Sequence, residues 1–227
     1  MPAEDLELYL RPTWFIDCDA PEVRRRAEEA VAGAASDEER ARRLFYLVRD
    51  GIRYDPYSIT RDPAGYRASA VLAQPAAYCI PKAVLLTALA RAAGIPARLG
   101  FADVRNHLSS EKLLARLGTD LFVYHGYTEF WLGGRWVKAT PAFNIELCER
   151  FGVKPLEFDG RSDALFHAFS ADGRRHMEYV AERGSFADLP LGEIMDAFAA
   201  HYGDIGADTG QERDELFDSR GGAPAPG

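Results

Sequence analysis

Apolar and polar positions along the chain first recur with a helical period, then change to a strand-like one past the midpoint. Ala41, Leu44, Phe45, Val48 and Ile52 fall on one face at spacings of three and four, following Ser36 and Glu39 in the arrangement of a capping box. That spacing predicts a helix ending near Gly51. Before it, PEVRRRAEEAVAG reads as an exposed amphipathic helix over residues 20–34, opened by Asp19 and Pro21 and closed by Gly33. Residues 6–16, LELYLRPTWFI, predict an extended or edge-strand opening. Residues 53–78 contain three prolines and predict an irregular loop with one helical turn over 69–72, and loops of that length are common seats of function.

The next block, CIPKAVLLTALARAAGIPARLGF, is apolar almost all the way round. Pro81 stands near its start, and Gly94 and Pro96 at its end, so it predicts a helix over 80–93 in the centre of the domain. A strand over 97–104 follows, then a loop and short helix over 106–118. Two strands, LFVYHGYTEFWL and RWVKATPAF, flank Gly133-Gly134, a pair that supplies the positive φ angles of a tight hairpin. Past Ile145 the pattern breaks into short pieces, with a last helix over 191–202 and a tail without core-forming periodicity. Helices followed by an antiparallel sheet predict an α+β fold, one domain over 1–203 with a flexible tail over 204–227.

A hydrophobic fraction of 47% with 27% charged residues is ordinary globular usage. The formal net charge of -8 opposes broad attraction to nucleic-acid phosphates or anionic lipid, which leaves a small-molecule or peptide-like substrate. Cys18, Cys79 and Cys148 are odd in number and unrelated in spacing, as expected of reduced thiols. The acidic N-terminus lacks a basic and apolar leader, and no apolar run is long enough to span a bilayer, so the expectation is a cytoplasmic protein off the membrane. His107, His125, His167, His176 and His201 show no metal-ligand spacing, and no phosphate-binding glycine motif is present; no cofactor is expected. Oligomeric state is left open.

Cys79 directly precedes the buried helix, where unpaired N–H groups and the helix dipole favour thiolate over thiol and can also receive an oxyanion. His125 lies on the first hairpin strand, a suitable mount for the base a cysteine nucleophile needs. AAYCIPKAVLLTALARAAGIPARLGF resembles the nucleophile region of the transglutaminase-like superfamily, and HGYTEFWLGGRWVKATPAF resembles its histidine hairpin. LFYLVRDGIRYD is similar to the segment that precedes that active site, and the likeness spans about residues 40–144 in order.

The resemblance implies a papain-like core performing acyl-thioester chemistry, with Cys79 as nucleophile and His125 as base. The family's third residue, an Asp before the Pro of the hairpin, is Thr140 in this chain. A hydroxyl orients an imidazole but does not stabilise its cation as an anion does. Thr140 ranks first for that role by position, followed by Asn144 and by Asp159 in EFDGRSD. Gln74 matches the place of an oxyanion-binding glutamine. Lys82 could hold the thiolate, bind a substrate carboxylate or point to solvent, with solvent preferred. In ADVRNH, Asp103, Arg105, Asn106 and His107 could select substrate, Arg105 through a carboxylate, or form a salt-bridged turn. The expected activity is that of a cysteine amidase, peptidase or amidotransferase. The alternatives are other chemistry at a carbonyl compound, such as proton transfer or carbon–carbon cleavage, and a binding module that keeps the fold.

Overall fold

The computed structural model describes residues 5–107, 109–166, 176–203 and 217. Helices α1 (Pro21–Val31) and α2 (Asp37–Gly51) come first, and Ser36 accepts the Glu39 N–H while Glu39 reaches back to the Ala35 N–H. Two-residue strands β1 (Arg53–Tyr54) and β2 (Ala76–Ala77) then pair in parallel around α3 (Ala68–Leu72). The segment expected to be irregular is thus tied down at both ends. Asp17 anchors its middle by accepting from Arg67, from the Ser69 N–H and from the Ser69 hydroxyl.

Helix α4 (Cys79–Ala92) is the axis of the molecule, and every residue from Cys79 to Arg91 is buried. With only Lys82 and Arg91 charged, it has no polar face to offer water, so it is covered on one side by α1, α2 and α3 and on the other by the sheet. That sheet is antiparallel, in the order β5 (Arg135–Ala139), β4 (Leu121–Leu132), β3 (Ala97–Asn106) and β6 (Met177–Phe186). Thr128 of β4 donates to the Ala83 carbonyl and meets Thr87 at 3.1 Å, a buried polar pair pinning strand to helix. At Gly126 the approach is closer still: a Cβ there would lie 3.2 Å from the Ile80 Cα. Gly133 and Gly134 turn the hairpin at φ 58° and 81°. Short helices α5 (Glu111–Leu117) and α6 (Ile145–Phe151) and the final α7 (Leu191–Tyr202) complete the α+β arrangement.

Two expectations need correction, and one residue of the tail packs into the core. Residues Leu6–Tyr9 form a 3-10 turn rather than a strand, because the Asp5 carboxylate caps the Glu7 N–H. Strand β6 went unread because it is a mostly exposed edge strand whose side chains lack apolar alternation. In the tail, residues 204–216 and 218–227 lie outside the described residues, but Phe217 is not free: it is 9% exposed and packs against Tyr54, Tyr57 and Phe151. Among the described residues no helix is long and apolar enough to cross a membrane.

Candidate functional site

Cys79 is the first residue of α4, and the preceding Tyr78 supplies no side-chain cap to the helix N–H groups. The backbone N–H groups of Gly126, Ile80 and Cys79 itself lie near the sulfur as oriented dipoles rather than full hydrogen bonds, and they pull its pKa down. Burial outweighs them. The residue is only 8% exposed, and burial pushes its thiol up to about 11, so the lowering expected of the helix start is present but outweighed.

His125 is 3% exposed, and burial pushes its imidazole down to about 3. Its Nε2 has no hydrogen-bond partner, and the ring packs against Phe166 at 5.1 Å. Among the described residues burial is the one cause acting on this pKa, and no carboxylate raises it. The residue before it, Tyr124, sits at φ 55°, in a left-handed region that non-glycine residues seldom occupy. The β3–β4 register skips at the same place, between Ala102 and Val104. Asp103 holds the irregularity: it accepts the Tyr124 N–H at 3.1 Å and both arms of Arg183 at 2.9 and 2.6 Å, while the guanidinium lies 5.1 Å over the Tyr124 ring. This bulge sets the direction in which β4 presents His125. Because Gly126 presses on Ile80, the hairpin meets the helix start where the two candidate residues stand.

Thr140 follows β5 and is 1% exposed; its N–H donates to the Ala164 carbonyl at 3.0 Å. Its Oγ1 completes no hydrogen bond of good geometry, although it lies near enough to the Tyr179 phenol to draw that group's pKa down. Thr128 pairs with Ala139, so extending the ladder by one residue sets Thr140 opposite Tyr127, diagonal to His125. Asn144 is occupied elsewhere: its Oδ1 accepts the Tyr54 N–H and its Nδ2 donates to Glu146. The exposed Asp159 closes its own turn by accepting from the Arg161 and Ser162 N–H groups, which hold its carboxyl below the usual range.

Gln74 is half-buried between α3 and β2 and makes no side-chain hydrogen bond among the described residues. Lys82 does not reach solvent. It is fully buried and donates to the carbonyls of Arg49, at 2.9 Å, and Ile52, closing the end of α2, while burial pushes its pKa down to about 7. Arg105 is spent on Asp120 in a two-bond pair, Asn106 lines a cavity beside Tyr54, and His107 lies 3.4 Å from Glu178. These three tie the end of β3 to its neighbours, the salt-bridged alternative for that stretch.

Sequence reasoning missed a set of tyrosines. Tyr54, Tyr66, Tyr78, Tyr179 and Tyr202 are each pushed up first by burial, and a thiolate at Cys79 would push each further. No spacing reveals them, since they come from five separate segments. No cluster of metal-ligating side chains exists among the described residues.

A family model described as the transglutaminase-like superfamily matches residues 24–141, just over half of the chain, which takes in Cys79, His125 and Thr140. Solved structures of similar fold include a candidate cysteine protease from Cytophaga hutchinsonii, 19% identical over 61% of this chain and 42% of that one, with a TM-score of 0.47. Two more are a candidate protease from Parabacteroides distasonis (18% identity, 59% of this chain, 24% of that one, TM-score 0.39) and the periplasmic domain of TgpA from Pseudomonas aeruginosa (20%, 59%, 45%, 0.40). The chain spans less than half the length of each of these structures. No curated protein sequence matches it.

Proposed function

Because the chain belongs to the transglutaminase-like superfamily, we propose that it is a cysteine-dependent acyl-transfer enzyme in which Cys79 attacks an amide and His125 moves the protons. The observation that supports this most is the seating of Cys79 at the uncapped start of α4 against the Gly126 N–H, next in sequence to His125. Burial disfavours both charges, so the resting pair is neutral thiol and neutral imidazole rather than an ion pair. Neutral imidazole is the form a base must take, and His125 keeps it at any pH above about 3.

As the sulfur bonds to the acyl carbon, its proton passes to His125, and the carbonyl electrons move onto an oxygen that the free N–H groups of the helix start can receive. The carbon–nitrogen bond then breaks, the imidazolium gives its proton to the departing amine, and an acyl-thioester remains on Cys79. Water or a second amine, deprotonated by His125, attacks that thioester and restores the thiol.

One observation favours a second reading at the same residues. Among the described residues His125 has no anionic neighbour to support an imidazolium, and the residue in the orienting place is Thr140. A site that avoids a lasting cation suits proton transfer or bond cleavage next to a carbonyl as well as hydrolysis. The first test is alkylation by iodoacetamide, followed by peptide mapping across pH. The expected result is labelling of Cys79 with a rate that climbs toward a midpoint near 11, and a drop on His125→Ala at neutral pH. A rate profile identical in the variant would sink the base assignment, and an unlabelled Cys79 would sink the nucleophile.

A further inference from the structure

Two cavities that share a wall are linked to this site through aromatic rings. One is a narrow recess lined mainly by apolar groups, among them Phe122, Phe143, Phe151 and Val153, with Asn106, Ser109 and His176 as its polar edge. The other is wider, and Asp50, Arg53, Asn144, Glu146 and Arg150 stand among its lining residues. Tyr54, Leu147 and Phe217 line both. Phe217 is the partition: its ring lies 5.8 Å from Phe151 and 5.9 Å from Tyr57, and its backbone carbonyl accepts from the Arg53 guanidinium at 3.2 Å. An aromatic ring in an apolar recess and a peptide carbonyl on an arginine together are what a bound peptide residue would present.

Both cavities connect to the candidate catalytic pair through rings in contact. Tyr54 stacks edge-on to Phe143 at 4.8 Å. Phe143 meets Phe166 at 4.7 Å, and Phe166 meets His125 at 5.1 Å. Ser109 Oγ is buried without a partner, so the apolar recess has a hydrogen-bonding atom left for a ligand to use.

We propose that the two cavities are halves of one substrate subsite, which takes an aromatic residue of a peptide-like substrate, with Arg53 holding that residue's carbonyl and Phe217 standing in its place when no substrate is bound. This rests on Cys79 being the nucleophile. Substrate entry displaces Phe217, which joins the apolar recess to the charged cavity, so the ring is sorted into the first and the polar backbone into the second.

Peptidyl chloromethyl ketones test this on the full chain, since they alkylate the nucleophilic sulfur with loss of chloride. One probe carries phenylalanine at the ketone residue, another carries it one residue earlier, and each has a glycine counterpart. Rates are divided by the iodoacetamide rate of the same variant. One phenylalanyl probe is expected to label Cys79 at least about tenfold faster than its glycine partner, the discrimination an apolar pocket gives. Phe217→Ala should raise that rate several-fold, and Leu147→Trp, which fills the recess, should erase the preference. If iodoacetamide labels Cys79 but neither phenylalanyl probe outruns glycine in wild type or Phe217→Ala, the subsite is wrong and the nucleophile stands. If iodoacetamide leaves Cys79 unlabelled, the nucleophile is wrong and the subsite goes with it.

Discussion

The two ends of α4 lie in the same buried helix and are built on opposite principles. At the C-terminal end, Arg91 is 3% exposed, and its three nitrogens donate to the carbonyls of Ala97, Arg11 and Ala187, at 2.9, 2.7 and 2.7 Å. The buried cation is matched by acceptors from three parts of the chain, one near the N-terminus, one at the start of β3 and one just past β6. At the N-terminal end, Cys79 opens the helix without a cap, His125 Nε2 has no partner, and Thr140 Oγ1 completes no bond. Folding rarely leaves buried polar atoms unmet. Where it does so at one end of a helix and not at the other, the incomplete end is the one open to a ligand or a reaction, and the complete end is scaffold.

That contrast breaks first at His125. Replacing it with Ala should lower acyl-transfer turnover by about 10² to 10⁴, the usual contribution of a positioned base. Folding should be preserved, because the change removes a buried polar atom that has no partner. Turnover against a panel of amides and thermal unfolding on the same samples would check both halves. A variant that unfolds while the remaining folded fraction keeps full activity would make His125 scaffold and remove the contrast.

Arg91→Ala is the mirror experiment. Three buried carbonyls lose their donor, and an expected loss of about 3 kcal/mol in unfolding free energy follows from leaving such groups unpaired. The alkylation rate of Cys79 in the folded fraction should not change. Chemical denaturation with parallel mass labelling separates these effects, and a loss of thiol reactivity without a loss of stability would contradict the scaffold role.

Where sequence was enough, a local pattern and a tertiary role coincided. The capping pair Ser36 and Glu39, the all-round apolar helix from Cys79, and Gly133-Gly134 each carry their structural reason within a few neighbours. The family match, over residues 24–141, takes in the last two. Strand β6 escaped because an edge strand facing water needs no alternation, and Lys82 was misplaced because nothing local reveals that the end of α2 would supply its acceptors. The thiol was misjudged for a related reason. A helix start is visible in sequence, but the depth at which it is buried is set by strands and aromatic rings far away in the chain, and here depth decides the charge state.

Acid sharpens the comparison with an effect that is smaller per pH unit. Unfolded, His125 should titrate near 6.5, and folded it is held down to about 3, so between those values the unfolded chain binds more protons. Stability therefore rises with pH across that window; it is lost as pH falls from 6.5 toward 3, by at most about 1.4 kcal/mol per pH unit for this one group. His125→Phe should flatten that part of the stability curve. Denaturant midpoints at a series of pH values for the two proteins would show whether the curves part below 6.5, and parallel curves would mean that the imidazole is not held neutral.

The smallest expected change comes from Thr140→Asp, which restores an anion where the superfamily resemblance places one. A carboxylate within reach of an imidazole raises its pKa by about one to three units. The His125 transition should accordingly move up from about 3 by at least one unit, and the acid loss of stability should still begin near 6.5 but end at higher pH. Burying a new carboxylate carries its own cost, so Thr140→Asn is the control, equal in size and without charge. NMR titration of the His125 ring protons in both variants isolates the anion's contribution. A shift in the Asp variant alone would make Thr140 the orienting position, with its hydroxyl the reason the pair rests neutral. No shift in either would mean that Thr140 Oγ1 faces away from the ring and that this pair works with no third member at all.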